Sequence, residues 1–172
     1  IRDLSPYVAG KTIAEVEKEY QPPEVSKLAS NENRLGCSPH VEKEVIKAMQ
    51  EIQDYPDPAS RQLRDVLADL NNVDRENILV AAGSESVISI LCRTFFLNHE
   101  EAITADATFV GFFVQANIRG VSINKIPVTD DYRYDLDAMA DAISERTKMI
   151  YIANPNNPTG TYVNASEFER FM

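Results

Sequence analysis

Cysteine and histidine are scarce in this 172-residue chain, with two of each. Cys37 and Cys92 lie far apart, and His40 and His99 complete no set with metal-ligand spacing, so no metal site is predicted. Both thiols are expected to be reduced, the usage of a cytoplasmic protein, with a single disulfide open only in an oxidising compartment. No apolar run approaches the roughly 20 residues that cross a bilayer, and the first residues lack the basic, apolar, small-residue order of a secretory signal. A soluble chain with no membrane partner is expected. Basic residues are also in deficit. Seventeen Lys and Arg against 27 Asp and Glu give a formal charge of −10, and no basic cluster stands out, which argues against nucleic acid and against acidic partners. Internal repeats, low-complexity tracts and linkers are missing as well.

What is present is globular composition, 44% hydrophobic and 26% charged, enough for one sizeable core. The first thirty residues, with Pro6, Gly10, Pro22 and Pro23, suit an arm or a short helix. Ser38-Pro39 resembles an N-cap with a first-turn proline, and Val41, Val45, Ile46 and Met49 then recur at helical spacing. Prolines 56 and 58 end that pattern, and Leu63, Val66, Leu67 and Leu70 start a second helix that Asn71-Asn72 closes. From there strand and helix alternate. Strands are predicted at 78–82, 102–105, 121–128 and 149–153, with helices after the first strand, over about 109–119 and over about 135–143. Such alternation implies parallel crossover units, an α/β layer structure with helices on both sheet faces. The division expected is an arm over 1–35 and an incomplete large α/β domain over 36–172. The chain starts at Ile1 without a Met and reaches Met172 in a stretch that still reads as helix, so it is taken as a segment.

Ligands of open α/β sheets gather beyond the carboxyl ends of the strands, which directs attention to three loops. Gly83-Ser84-Glu85-Ser86 lies between a strand and a helix, where free amides, serine hydroxyls and the helix dipole suit an anion such as a phosphate; a plain capping turn would look similar. Thr108-Phe109 follows the next strand and offers an aromatic face to a planar ligand, although a core phenylalanine is the bland reading. Asn154-Pro155-Asn156-Asn157-Pro158-Thr159-Gly160 is the most informative stretch. Its prolines deny helix and present asparagine amides on a stiff loop at the end of an apolar strand, where they can donate to a phenolate or carboxylate. The turn after the first strand has no Gly-x-Gly-x-x-Gly pattern, which weakens a Rossmann-type nucleotide binder.

Taken in order, Leu4-Ser5-Pro6-Tyr7, Leu28-Ala29-Ser30-Asn31-Glu32-Asn33, Tyr55-Pro56-Asp57-Pro58, Gly83-Ser84-Glu85, Thr108-Phe109 and Asn154 through Gly160 resemble fold-type-I pyridoxal-phosphate aminotransferases, and match the histidinol-phosphate aminotransferase branch best. The resemblance covers essentially the whole chain, and the Asn-Pro-Asn-Asn-Pro-Thr-Gly string is its most specific element. It implies the large-domain fold of those enzymes, pyridoxal 5'-phosphate as cofactor, and transamination between an amino donor and a 2-oxo acid, here histidinol phosphate and 2-oxoglutarate in histidine biosynthesis. Gly83, Ser84 and Glu85 would hold the cofactor phosphate largely through main-chain amides. Phe109 would stack on the pyridine ring, and Asn157 would hydrogen-bond its phenolic oxygen. Tyr55 would reach the phosphate of a neighbouring subunit in a homodimer, while Tyr7, Asn31, Glu32 and Asn33 would line the substrate pocket.

The same resemblance puts the lysine that carries the cofactor as a Schiff base beyond Met172, with the aspartate for the pyridine nitrogen and the arginine for the substrate carboxylate. No catalytic residue is therefore assigned within the segment, which by itself is not expected to catalyse. The family sheet also sets its first strand beside a late one, so strand 78–82 is expected to lack a neighbour here. Four departures from the family pattern stand out: Arg34 and Ala107 in place of prolines, Gly111 in place of a bulkier residue, and Ala81-Ala82 where a Gly-Asn pair is common. Arg34 adds charge near the expected substrate pocket. Rival readings are an aromatic-amino-acid aminotransferase or an amino-acid phosphate decarboxylase on the same fold, and a non-catalytic relic that binds a phosphate-bearing ligand.

Overall fold

A computed structural model describes residues 10–172, in two compact units that divide at Asp65–Val66. Tyr7 and the other residues of the arm up to Ala9 lie outside the described residues.

In the unit up to Asp65, helix α1 (Ile13–Tyr20) starts at a capping box in which Thr12 and Glu15 satisfy each other's backbone amides. Helix α2 (Pro39–Ala48) starts where the sequence predicts, with Ser38 accepting from the His40 amide and Pro39 in the first turn, and runs on into a 3-10 turn at Met49–Glu51. Its apolar stripe is real but unburied: Val41, Val45, Ile46 and Met49 are all more than half exposed. Helix α3 (Arg61–Asn71) contains the unit division and ends at the predicted asparagine.

The unit from Val66 to Met172 is the α/β layer structure the alternation implies. After α4 (Ser84–Phe95) come β1 (Glu101–Ala105), α5 (Val110–Arg119), β2 (Ser122–Ile126), α6 (Leu136–Asp141), β3 (Thr147–Ile150) and α7 (Ala165–Phe171). The three strands are parallel in the order β2-β1-β3, with Ala102 opposite Ile123 and Met149. Strand β1 is buried along its whole length, and its side chains divide between two cores. Ala102 joins Ile88, Cys92, Phe96, Phe112, Ala116 and Val121 from α4, α5 and their ends, whereas Ile103 and Ala105 join Tyr134, Leu136, Met139 and Val163 on the α6 and α7 side. The alternating direction of strand side chains makes this sorting, and burial of each large side chain contributes about 1.5–3 kcal/mol.

One predicted strand does not form. Residues 78–82 are extended at Ile78, with φ −105° and ψ 120°, yet pair with nothing in the sheet. A strand is defined by its ladder, and an apolar run without a neighbour has none; the Ile78 amide turns back to the Arg75 carbonyl instead.

Glu101 opens β1 and is 6% exposed, an unusual place for a carboxylate. Ser144 donates to it at 2.8 Å and Arg146 at 2.6 Å, so it ties β1 to the turn that leads into β3. The Ser144 hydrogen bond, helped by Arg146, holds this carboxyl below its ordinary value of 4.5. A group whose folded value is depressed stabilises the fold above its unfolded value and loses that contribution as pH falls through the folded one. In Glu101→Gln, stability measured by denaturation is expected to fall less steeply with acidification below pH 4.5 than in the parent. Parallel curves would show that Glu101 is not linked to folding.

Among the described residues no helix is long and apolar enough to cross a membrane, and no group of three or more His, Cys, Asp or Glu is placed to hold a metal. Both cysteines are free thiols, Cys37 exposed and Cys92 buried.

Candidate functional site

Three connections, the entry to α4 and those that follow β1 and β3, carry the candidate site residues within Val66–Met172. The first is the entry to α4. Gly83 occupies its N-cap position with φ 86° and ψ 172°, a backbone region essentially reserved for glycine, and no side chain caps the helix. At α1, α2, α6 and α7 a Thr, Ser, Asp or Asn side chain accepts from a first-turn amide, whereas α5, like α4, has no side-chain cap. The first amides of a helix have no partner in the helix, so here they remain open to an anion, with the helix dipole adding to the attraction. Ser84 and Glu85 are both exposed at this end.

The second connection carries Phe109, the N-cap position of α5, half-buried against the core that contains Phe112. Gly111 explains where its ring lies. A Cβ at position 111 would sit 2.5 Å from Phe109 Cε1 and 3.1 Å from Glu85 Oε1. The missing side chain is thus the space that the phenyl ring occupies, and the ring lies beside the α4 entry.

The third connection is the asparagine-proline loop, where the structure separates three residues that the sequence treats alike. Asn154 is committed to the fold, donating to the Val163 carbonyl and accepting from the Val163 amide, both at 2.9 Å. Asn156, 3% exposed, donates through Nδ2 to the Ala107 carbonyl and to Thr159 Oγ1, each at 2.9 Å, and its Oδ1 accepts from Thr108 and Tyr134. Only Asn157 is exposed with a side chain that bonds to none of the described residues. The Thr108–Asn156 hydrogen bond at 2.9 Å ties the loop that carries Phe109 to the loop that carries Asn157. An open amide cluster, an aromatic face and an uncommitted carboxamide are what a planar ligand with a phosphate arm and a phenolic edge requires, and the residues present fit such a group.

Tyr134 is the residue that sequence reasoning passes over. It lies in a polar stretch, Asp130 to Asp135, that reads as a turn, and its only signal is an aromatic flanked by charge just before α6. The remaining expected positions belong to the unit up to Asp65. Tyr55 is fully exposed. Glu32 bridges Lys27 at 2.7 Å and Arg34 at 3.5 Å, and the Lys27 hydrogen bond lowers its carboxyl value. Arg34 thus has a local counter-charge. Asn33 Oδ1 accepts from the Leu35 amide at 3.0 Å, shaping a turn, and Asn31 is in the left-handed region with φ 49°.

The chain matches the family model for aminotransferase class I and II over residues 23–172. It is 42% identical over its full 172 residues to a histidinol-phosphate aminotransferase of a Geobacillus species, and covers 47% of that relative. A crystal structure of histidinol-phosphate aminotransferase from Sinorhizobium meliloti in complex with pyridoxal-5'-phosphate aligns with a TM-score of 0.84 at 23% identity, over 99% of this chain and 45% of that one. Aspartate aminotransferase from Thermus thermophilus with maleate aligns at 0.71 and 21% identity, over 77% of this chain and 37% of its own. The chain spans about half the length of the curated relatives it matches.

Proposed function

Because the chain belongs to the class I and II aminotransferase family, we propose that it supplies the cofactor-gripping part of a pyridoxal-phosphate-dependent histidinol-phosphate aminotransferase. The observation that supports this reading is that one unit holds the uncapped α4 entry, the Phe109 ring beside it and, on a loop hydrogen-bonded to Thr108, the uncommitted Asn157 side chain. Bound there, pyridoxal phosphate supplies an electron sink for the carbanion that forms when a proton leaves the α-carbon of an amino donor.

The chain's own residues bind and orient. The amides that follow Gly83, at Ser84 and Glu85, take the phosphate, with the Glu85 carboxylate turned toward Gly111 and Phe109. Phe109 covers one face of the pyridine ring and keeps water from it. Asn157 donates from its amide to the phenolic oxygen and so favours that oxygen's negative charge. Tyr55 and Tyr7 act from the second subunit of a homodimer, Tyr55 at the phosphate and Tyr7 in the substrate pocket beside Asn31, Glu32 and Asn33. The lysine that carries the cofactor belongs to the rest of the full-length protein. The partners are small molecules, an amino donor and a 2-oxo acid, and the protein works in the cytoplasm.

The full-length protein tests the reading. Incubated with pyridoxal phosphate and reduced with borohydride, it is expected to carry the cofactor on a single lysine located by peptide mass. Transfer from histidinol phosphate to 2-oxoglutarate should then exceed transfer from aromatic amino acids, and loss of CO2 from an amino-acid phosphate should be undetectable. Absence of any fixed cofactor would overturn the enzyme reading in favour of a binding relic.

A further inference from the structure

Behind Phe109 and Asn157, three polar side chains that touch no cofactor in the reading above meet in the interior. Thr108, Tyr134 and Asn156 are 6%, 6% and 3% exposed. Their oxygens form a triangle: Thr108 Oγ1 to Tyr134 Oη 2.7 Å, Thr108 Oγ1 to Asn156 Oδ1 2.9 Å, and Tyr134 Oη to Asn156 Oδ1 3.0 Å. Each comes from a different connection, after β1, before α6 and after β3. Outer contacts close the assembly, with the Ala153 amide donating to Tyr134 Oη at 3.0 Å and Asn156 Nδ2 to the Ala107 carbonyl at 2.9 Å.

We propose that Thr108, Tyr134 and Asn156 are positioning residues, a buried clamp that holds the loop carrying Phe109 to the loop carrying Asn157 and so fixes how ring face and phenolic edge of the cofactor are gripped together. The proposal rests on the pyridoxal-phosphate reading. A planar ligand held by its face through one loop and by its edge through another is well held only if the loops keep register, because a hydrogen bond weakens steeply with misalignment. Nothing covalent joins residues 109 and 157 at short range. The triangle performs that role, and its chemistry makes it stiff. Asn156 Oδ1 has no proton to give, so the two hydroxyl protons fill two of the three contacts at a time; removing the Thr108 hydroxyl leaves Asn156 Oδ1 with Tyr134 alone, and removing the Tyr134 hydroxyl takes the acceptor from the Ala153 amide. The orientation of the Asn156 amide is likewise forced, since Nδ2 faces the Ala107 carbonyl, which can only accept.

The test uses the full-length protein with Thr108→Val, which keeps shape and deletes the hydroxyl, and Tyr134→Phe, each also built on Asn157→Ala. Readouts are the affinity for pyridoxal phosphate by titration, the circular dichroism of the bound cofactor per molecule bound, and the thermal midpoint. Expected are about tenfold weaker binding for each single variant and an altered cofactor dichroism at saturation, with Thr108→Ser restoring the parent values. On the Asn157→Ala background the Thr108→Val penalty should shrink to below about threefold, because the amide it aligns is gone. Should Thr108→Val fail to fold, Tyr134→Phe, which removes one oxygen, carries the same comparison. A parent that binds cofactor while the variants keep affinity and dichroism, or lose only thermal stability, overturns the clamp alone. A parent that binds no cofactor overturns the reading and the clamp with it.

Discussion

Phe112→Ala is expected to destabilise the full-length protein by about 3–5 kcal/mol, read as a lower midpoint in chemical denaturation with little change in slope. Phe112 is fully buried and lies at the centre of the core between the sheet and α4 and α5. Its ring stacks on Tyr151, with centroids 4.2 Å apart and planes 6° from parallel, and meets Phe113 edge-on at 6.3 Å. Truncation removes the transfer free energy of the ring and leaves a cavity between a helix and a strand end, neither of which can move inward without breaking its own hydrogen bonds. Tyr151 is anchored by its amide to the Ile103 carbonyl at 2.9 Å, so it cannot follow the lost ring. Burial already raises the Tyr151 phenol above its ordinary value, and it stays neutral as a stacking partner. A loss below about 1 kcal/mol would mean that this core is loosely packed around position 112.

Gly83→Ala is expected to weaken pyridoxal phosphate binding by at least about tenfold, with a strain cost of about 1–3 kcal/mol, measured by cofactor titration and by denaturation of the same full-length variant. Space is not the reason. A Cβ at position 83 would meet nothing within 4 Å. The backbone angles are, because φ 86° with ψ 172° suits only a residue without a Cβ. An alanine either keeps that conformation at a cost in stability or swings the α4 entry away and misdirects the amides of Ser84 and Glu85. Unchanged affinity together with unchanged stability would show that the entry does not need this geometry. Gly111 makes the opposite case, since its side chain is excluded by the Phe109 ring rather than by its own backbone.

The strand and helix periods were legible in the residues because β1, α5, β2, α6 and β3 each alternate or repeat against a core on one or both faces. The Gly83, Phe109 and asparagine loops were legible for a related reason: glycine and proline declare their backbone needs locally. Residues 78–82 were read as a strand expected to lack its neighbour here; they stand outside the sheet, and without that neighbour the apolar run forms no ladder. The distinction among Asn154, Asn156 and Asn157 was not readable, since it turns on Asn154 and Asn156 finding partners 9 and 49 positions away while Asn157 finds none among the described residues. Tyr134 was hidden for the same reason. Its partners at 108, 153 and 156 approach only after the β1-to-α5 and β3-to-α7 connections have come together, and no local pattern announces a hydroxyl that will be buried.

The strand order β2-β1-β3 has a consequence for how this unit can be put together from a chain made in one direction. The middle strand is the first of the three to leave the ribosome, so β2 adds to one side of it and β3 to the other, each laid against a surface already present. Neither neighbour has to be inserted between finished strands. Phe109 emerges with the template itself, Asn157 after β3, and Thr108 meets Asn156 when β3 takes its place, so the two halves of the grip come into register in the same event that adds β3 to β1.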